Sequence, residues 1–142
     1  MLDAKSQVAI LGTIDPVSQG AGTVNFDVVA AKGYFTLLFI VLTGVLGADA
    51  TLDFVIKGDT TSGGSFATTV KSATQVVKAS GDAKQIMVEL NSDEIGMSGF
   101  THFRGQVTVG TAASLISGVV LGLEQRYGNG TGNNIASVVQ AL

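Results

Sequence analysis

Cysteine and tryptophan are absent from the 142 residues, histidine and proline occur once each, and only 13% of the side chains are charged. Without cysteine there is no disulfide, no thiolate metal ligand and no cysteine nucleophile. The single histidine, His102, cannot build a zinc site unless carboxylates supply the other ligands. Eight basic against 11 acidic residues leave a net charge of −3, and the basic ones are scattered from Lys5 to Arg126 with no two adjacent. Nucleic-acid binding needs Lys and Arg clustered on one face, so no direct nucleic-acid partner is expected. Long hydrophobic runs are also missing. The longest apolar stretch, residues 34–46 (YFTLLFIVLTGVL), is interrupted by Thr36, Thr43 and Gly44, and a membrane-spanning helix needs about 20 apolar residues. The opening MLDAKSQVAILGTID carries Asp3 and one short apolar run, which falls below the roughly 7–15 residues of a signal-peptide core. The expectation is synthesis in a cytoplasm, with no membrane partner.

What is present is apolar and glycine-rich. Hydrophobic residues make up 46% of the chain, while the charged fraction is about half the usual quarter. A monomer with so few charges has little polar surface to cover itself with, so the balance fits a chain that hides part of its exterior in an assembly. The length is that of one domain and is sufficient for a self-supporting core.

Nineteen glycines and one proline punctuate short β-branched runs, which reads as strands joined by turns. The expected strands cover residues 7–13, 23–29, 35–43, 51–57, 75–78, 85–90, 101–109 and 115–123. This is an all-β chain, an antiparallel β-sandwich or jelly roll of about eight strands with extended N- and C-terminal arms. In TLDFVIK, Leu52, Phe54 and Ile56 share one face; in FTHFRGQVTV, Phe103, Gly105, Val107 and Val109 oppose His102, Arg104, Gln106 and Thr108. Such alternation marks half-wet antiparallel strands. FTLLFIVL instead offers hydrophobics to both faces, as expected of a central strand with one side on the core and the other covered by a loop or a neighbouring subunit. A buried helix is the competing reading; Ile40, Val41 and the aromatic flank favour a strand, and Gly33 and Gly44 bound it.

Three stretches read as irregular: residues 15–22 (DPVSQGAG) as a turn-rich loop, 58–65 (GDTTSGGS) as a flexible loop too polar to pack, and 128–134 (GNGTGNN) as a linker. The domain is accordingly assigned to residues 1–127, with 128–142 a Gly/Asn linker and apolar C-terminal arm. In the closing IASVVQAL, Ile135, Val138, Val139 and Leu142 stand at helix-like spacing. Free chain ends are usually polar, so an apolar end behind a glycine tether is expected to dock on its own core or on a neighbour.

No constellation for catalysis emerges. His102 falls on the polar side of its strand, and no GxSxG elbow, phosphate-binding loop or GxGxxG occurs. The densest oxygen cluster, residues 91–94 (NSDE), lacks the alternating pattern of a calcium loop and reads as a solvated turn, and Asp59 with Thr60 and Thr61 reads as equally plain. Phe100, His102, Phe103 and Arg104 come closest to a nucleic-acid platform, but Phe103 alternates inward and one arginine makes no channel. No enzyme, cofactor or metal is expected.

Three segments carry a family resemblance. Lys32-Gly33-Tyr34 leads into FTLLFIVLTGVLG; TLDFVIKGDTTSGGSFATT ends a strand in a polar Asp-Thr-x-x-Gly loop before Phe66; and FTHFRGQVTVGTAASLISGVVLGLEQRYG turns at residues 110–114 into an apolar strand ending in Arg126-Tyr127. Over residues 8–127 the chain resembles the head decoration, or capsid cement, proteins of tailed bacteriophages, which have a jelly-roll core. The resemblance implies a structural virion protein, a homotrimer on the outer surface of the head that bridges major capsid protein subunits. The alternative is a carbohydrate- or receptor-binding sandwich from a phage tail or fibre. The expected contact residues are Met1, Leu2, Ile135, Val138, Val139 and Leu142, with Arg104, Arg126 and Tyr127 beside them.

Overall fold

A computed structural model describes residues 7–125, and the architecture is two antiparallel sheets packed face to face. The strands are β1 (Val8–Gln19), β2 (Gly22–Asn25), β3 (Val29–Ala30), β4 (Tyr34–Thr43), β5 (Thr51–Asp59), β6 (Thr68–Ser72), β7 (Val76–Val77), β8 (Gln85–Leu90), β9 (His102–Gly110) and β10 (Ser114–Gln125). Two short helices, α1 (Lys78–Gly81) and α2 (Ser92–Ser98), flank β8. The four-stranded sheet runs β1-β10-β4-β8; the six-stranded sheet runs β2-β9-β5-β6, with β3 also on β9 and β7 also on β5. Because β2 and β3 lie in succession along β9, and β6 and β7 along β5, each pair is one interrupted strand. The sandwich thus has eight strand positions, and most connections cross from one sheet to the other, as in a jelly roll. FTLLFIVL is a strand and not a helix: β4 lies between β10 and β8.

The core forms where the inward residues of the two sheets meet. Leu37, Phe39 and Val41 of β4 and Val120 of β10 face Leu52, Phe54 and Ile56 of β5 and Phe103 and Val107 of β9, all fully buried. At its centre are three rings. Phe26, from the break between β2 and β3, meets Phe39 edge-on at 5.5 Å and Phe54 at 6.0 Å. Such geometry suits the quadrupoles of aromatic rings. Room for Phe26 comes from glycines on both sheets. A Cβ on Gly105 would lie 2.6 Å from the Phe26 ring, and one on Gly118 would collide with the opposite side of that ring. Glycine therefore does more here than punctuate turns: Gly105 and Gly118 sit inside strands to admit an aromatic.

Four local expectations are corrected. Residues 15–22 are not all loop, since β1 continues to Gln19 across an irregularity between Ile14 and Val17 that holds Pro16. Proline has no N–H to donate, and an edge strand at a bulge tolerates it. β6 adds a strand over Thr68–Ser72, ahead of the one expected at 75–78. The NSDE cluster is the start of α2. Asn91 accepts from the Glu94 N–H at 2.9 Å, and the Glu94 carboxylate accepts from the Asn91 N–H at 3.1 Å. This reciprocal pairing satisfies helix-end donors, and Glu94 also binds Lys71 at 2.6 Å.

The 58–65 loop, finally, is organised around Asp59. Its carboxylate accepts N–H bonds from Thr60 (2.7 Å), Thr61 (3.2 Å) and Phe66 (3.1 Å). Gly64 packs so closely on that carboxylate that a side chain there would displace it. Phe66, at φ +50°, turns its buried ring under the loop. Spacing alone hides this, because one carboxylate gathers donors up to seven residues away.

Two predictions follow from this packing. Gly118→Ala should destabilise the fold by about 1–3 kcal/mol, the usual range for overpacking a core. Phe26→Leu in the same chain should recover part of that loss, as read from denaturant midpoints in a double-mutant cycle. The second concerns acid. Hydrogen bonds from the backbone of Phe66, then Thr61, hold the Asp59 carboxyl below its ordinary pKa. A depressed folded pKa stabilises the protein above the unfolded value, near 4, and that contribution is lost as pH falls through the folded value. Asp59→Asn should therefore be less stable than the parent at pH 7, the gap closing as acid protonates the carboxyl below the ordinary carboxylate range. A gap that persists undiminished in acid would remove the carboxylate's charge from the account.

Candidate assembly surface

The two sheets present opposite chemistry to the outside. On the six-stranded sheet, outward side chains bond one another across strands: Thr23 with Thr108 at 3.2 Å, Gln106 to Asn25 at 3.0 Å, and Gln75 to Asp53 at 2.9 Å. Lys57 and Arg104 stand opposite each other in register on this face. Polar groups that satisfy one another in this way form a surface content to face water.

The outward face of the four-stranded sheet is apolar. Registered rows run Ile10, Leu121, Leu38 and then Glu89; Thr13, Val119, Ile40 and Met87; and Val8, Leu123 and Thr36. Because side chains alternate with period two, each of these positions flanks a core residue on its own strand. Leu38, Ile40, Val119, Leu121 and Leu123 are only half-buried and lie outside the core cluster.

At one end of this face the hydrophobics are exposed outright. Val17 is 40% accessible, Leu42 38%, Leu115 47% and, on the following turn, Val45 63%. Pro16, Val17, Leu42, Gly44, Leu115 and Ser117 line an open groove of ≈ 420 Å³ there. Gly44 shapes it: the Gly44 N–H donates to the Leu115 carbonyl at 2.8 Å, and a Cβ at position 44 would press on the Leu115 side chain. The loop behind the groove is rigidly held. Asp82 accepts from the Leu46 N–H at 2.8 Å, and Lys78 reaches both the Leu46 carbonyl (2.6 Å) and Asp82 (3.0 Å). The Leu46 N–H, and then Lys78, lower the Asp82 pKa.

Of the residues singled out from sequence, Arg104 is described. Its guanidinium carbon lies 4.7 Å from the centroid of the Phe66 ring, a cation–π contact on the outer face of the six-stranded sheet. It forms no ion pair among the described residues. Met1, Leu2, Arg126, Tyr127, Ile135, Val138, Val139 and Leu142 lie outside the described residues. The structure adds Val17, Leu42, Val45 and Leu115, which sequence reading passed over. A signal was there: SLISGVVLGL, like FTLLFIVL, is apolar at both parities, and two such strands side by side leave an apolar outer face. His102, half-buried on the polar face, has its Nδ1 2.9 Å from the Thr101 hydroxyl. Among the described residues no group of three or more His, Asp or Glu is placed to hold a metal ion, and no helix is long and apolar enough to cross a membrane.

No protein-family model matches the chain, and no curated protein matches it in sequence. Solved structures do resemble it in fold. The chain is similar to a protein of Broad Bean Stain Virus with a TM-score of 0.50 at 10% identity, over 91% of this chain and 93% of that one. It is similar to a chain of the T13 infectious bursal disease virus particle with a TM-score of 0.54 at 11% identity, over 84% of this chain. For the Gx strain of that virus the TM-score is 0.50 at 15% identity, over 90% of this chain. This chain spans only 31% and 37% of those two longer chains. The fold is the jelly roll found in viral capsid proteins.

Proposed function

We propose that the chain is a structural virion protein, and specifically a decoration or cement protein that sits on the outer surface of a tailed-phage head and bridges major capsid protein subunits. The observation that carries this reading is the apolar groove of Val17, Leu42 and Leu115, with Val45 exposed on the following turn, at one end of a jelly roll whose other broad face carries cross-strand polar pairs. Exposed apolar surface collected at one place, on a chain with few charges, marks an interaction site. The likeness in fold to capsid proteins supports a virion setting. A homotrimer suits the role, because several modest contacts in one oligomer raise avidity by about 10²–10⁴ over a single site. Met1, Leu2, Arg104, Arg126, Tyr127 and the apolar set Ile135, Val138, Val139 and Leu142 are further candidate contacts. The protein acts without catalysis or a cofactor, and is made in the host cytoplasm before joining the head.

Purified particles from the native source, with this chain quantified against the most abundant shell protein, test the reading. Hundreds of copies per particle are expected. A few copies per particle would place it in a tail or fibre, and recovery only in the soluble fraction would overturn a virion role. Val45→Asp with Leu115→Asp, both at exposed positions, should leave the fold intact and weaken head binding at least tenfold. That is the cost of about 1.4 kcal/mol, less than the burial of one large aliphatic side chain supplies. Unchanged binding by this variant would remove the groove from the contact.

A further inference from the structure

Two open sheets have two edges each, and all but one of these edges are broken. β1 carries irregularities between Ile10 and Gly12 and between Ile14 and Val17, with Pro16 in the second. The edge on β9 is split into β2 and β3. The edge on β5 is split into β6 and β7, with a further irregularity opposite Ile56 and Lys57. Bulges, proline and interruptions are the devices by which edge strands avoid pairing with other chains. β8 has none of them. It pairs with β4 in unbroken register, from Gln85 opposite Leu42 to Leu90 opposite Leu37, and it ends the four-stranded sheet.

The direction of its backbone groups follows from the ladder. The Thr43 N–H donates to the Lys84 carbonyl at 2.9 Å. Hydrogen-bonded pairs alternate along an antiparallel ladder, so Ile86, Val88 and Leu90 turn their N–H and C=O groups toward β4. Gln85, Met87 and Glu89 turn theirs away from the sheet. Two contacts agree with this parity: Lys71 Nζ donates to the Glu89 carbonyl at 2.8 Å, and the Asn91 N–H donates to the Glu94 carboxylate at 3.1 Å. Among the described residues nothing bonds the N–H and C=O of Gln85 and Met87, or the Glu89 N–H. The side chains of these three residues are exposed, Met87 at 62%.

We propose that β8 pairs with β8 of a second copy, antiparallel about a two-fold axis at Met87, joining the two four-stranded sheets into one. The sequence selects that register. With Met87 opposite itself, Gln85 faces Glu89 of the second copy, so an amide meets a carboxylate and no like charges are opposed. An axis at Glu89 would set two carboxylates against each other and bring Met87 against Asn91, whose N–H already belongs to Glu94. An axis at Gln85 would bring Met87 against Ala83, which lies outside the strand at φ +53°. About Met87, the two methionines exchange N–H to C=O bonds, and each Glu89 N–H reaches the Gln85 carbonyl of the other copy. The open Met87 and Glu89 donors are thereby satisfied while Lys71 keeps its place. The outer row of Val119, Ile40 and Met87 then continues through its own copy across the joint. Such a self-complementary edge is the isologous contact of a two-fold pair.

A six-residue strand is about 20 Å long, and so narrow a strip falls below the roughly 800 Å² per partner of a stable interface. The pairing is therefore weak in dilute solution and forms where copies are crowded. It joins one copy to one other, as single chains or between the trimers proposed above. It stands without the virion role, because it is read on the isolated protein.

Sedimentation velocity of the full chain should show a species of doubled mass that grows with concentration. Met87→Lys, which opposes two charges across the axis from an already exposed position, should weaken that doubling about tenfold. Amide exchange locates the contact. In dilute solution the Met87 and Glu89 N–H groups exchange freely, whereas those of Ile86 and Val88 are held by β4. Raising the concentration should slow exchange at Met87 and Glu89 severalfold and leave Ile86 and Val88 unchanged. No doubling up to the solubility limit, a doubling that Met87→Lys leaves intact, or a Met87 N–H equally protected at every dilution would each overturn the pairing.

Discussion

The rest of the structure depends on one ring held between two sheets. Phe26 enters the sandwich where β2 gives way to β3, its N–H donating to the Gly105 carbonyl at 2.9 Å, and its ring sits between Gly105 of one sheet and Gly118 of the other. Sheets in a sandwich lie about 10 Å apart, a gap that ordinarily holds two interdigitating side chains. A ring that spans much of it needs positions without a Cβ on both sides. Phe39 and Phe54 then pack against its flanks, one from each sheet. With Gly105 and Gly118 required to face inward, the parity of β9 and β10 is settled, since a slip of one residue would turn every side chain to the opposite face.

That parity divides the exterior. On β9 it sends Arg104, Gln106 and Thr108 outward, where cross-strand partners and the Phe66 ring receive them. On β10 it sends Leu115, Val119, Leu121 and Leu123 outward beside the outward leucines of β4. The same inner constraint thus generates one face suited to water and one that is not. The loops take their shape from buried or clustered polar anchors. Asp59 gathers the turn that covers Phe66, Asp82 and Lys78 pin the loop at Leu46, and Lys71 ties the start of α2 to β6. None of these carboxylates converges on another to make a reactive pair.

The assembly role proposed above accounts for both the sparse charge and the uneven exterior. An apolar face on a protein that spends its life alone invites aggregation. The same face, ending in a groove of exposed hydrophobics, gives a limited and oriented contact.

Much of this was legible in the amino-acid sequence. Alternation in TLDFVIK and FTHFRGQVTV declared the strands of the six-stranded sheet and which residues face the core, because period-two patterning records burial on one side only. The two-sided run FTLLFIVL declared a central strand with hydrophobic side chains on both faces. Other features were decided only by the folded chain. The partner of each strand, the pairing of Gly105 and Gly118 across one ring, and the gathering of Thr60, Thr61 and Phe66 around Asp59 depend on proximity between positions that sequence patterning treats separately. So does the groove, whose exposed members Val17, Leu42 and Leu115 come from three strands. Local patterns report how each residue is divided between water and protein, whereas a surface exists only once strands distant in sequence are laid side by side.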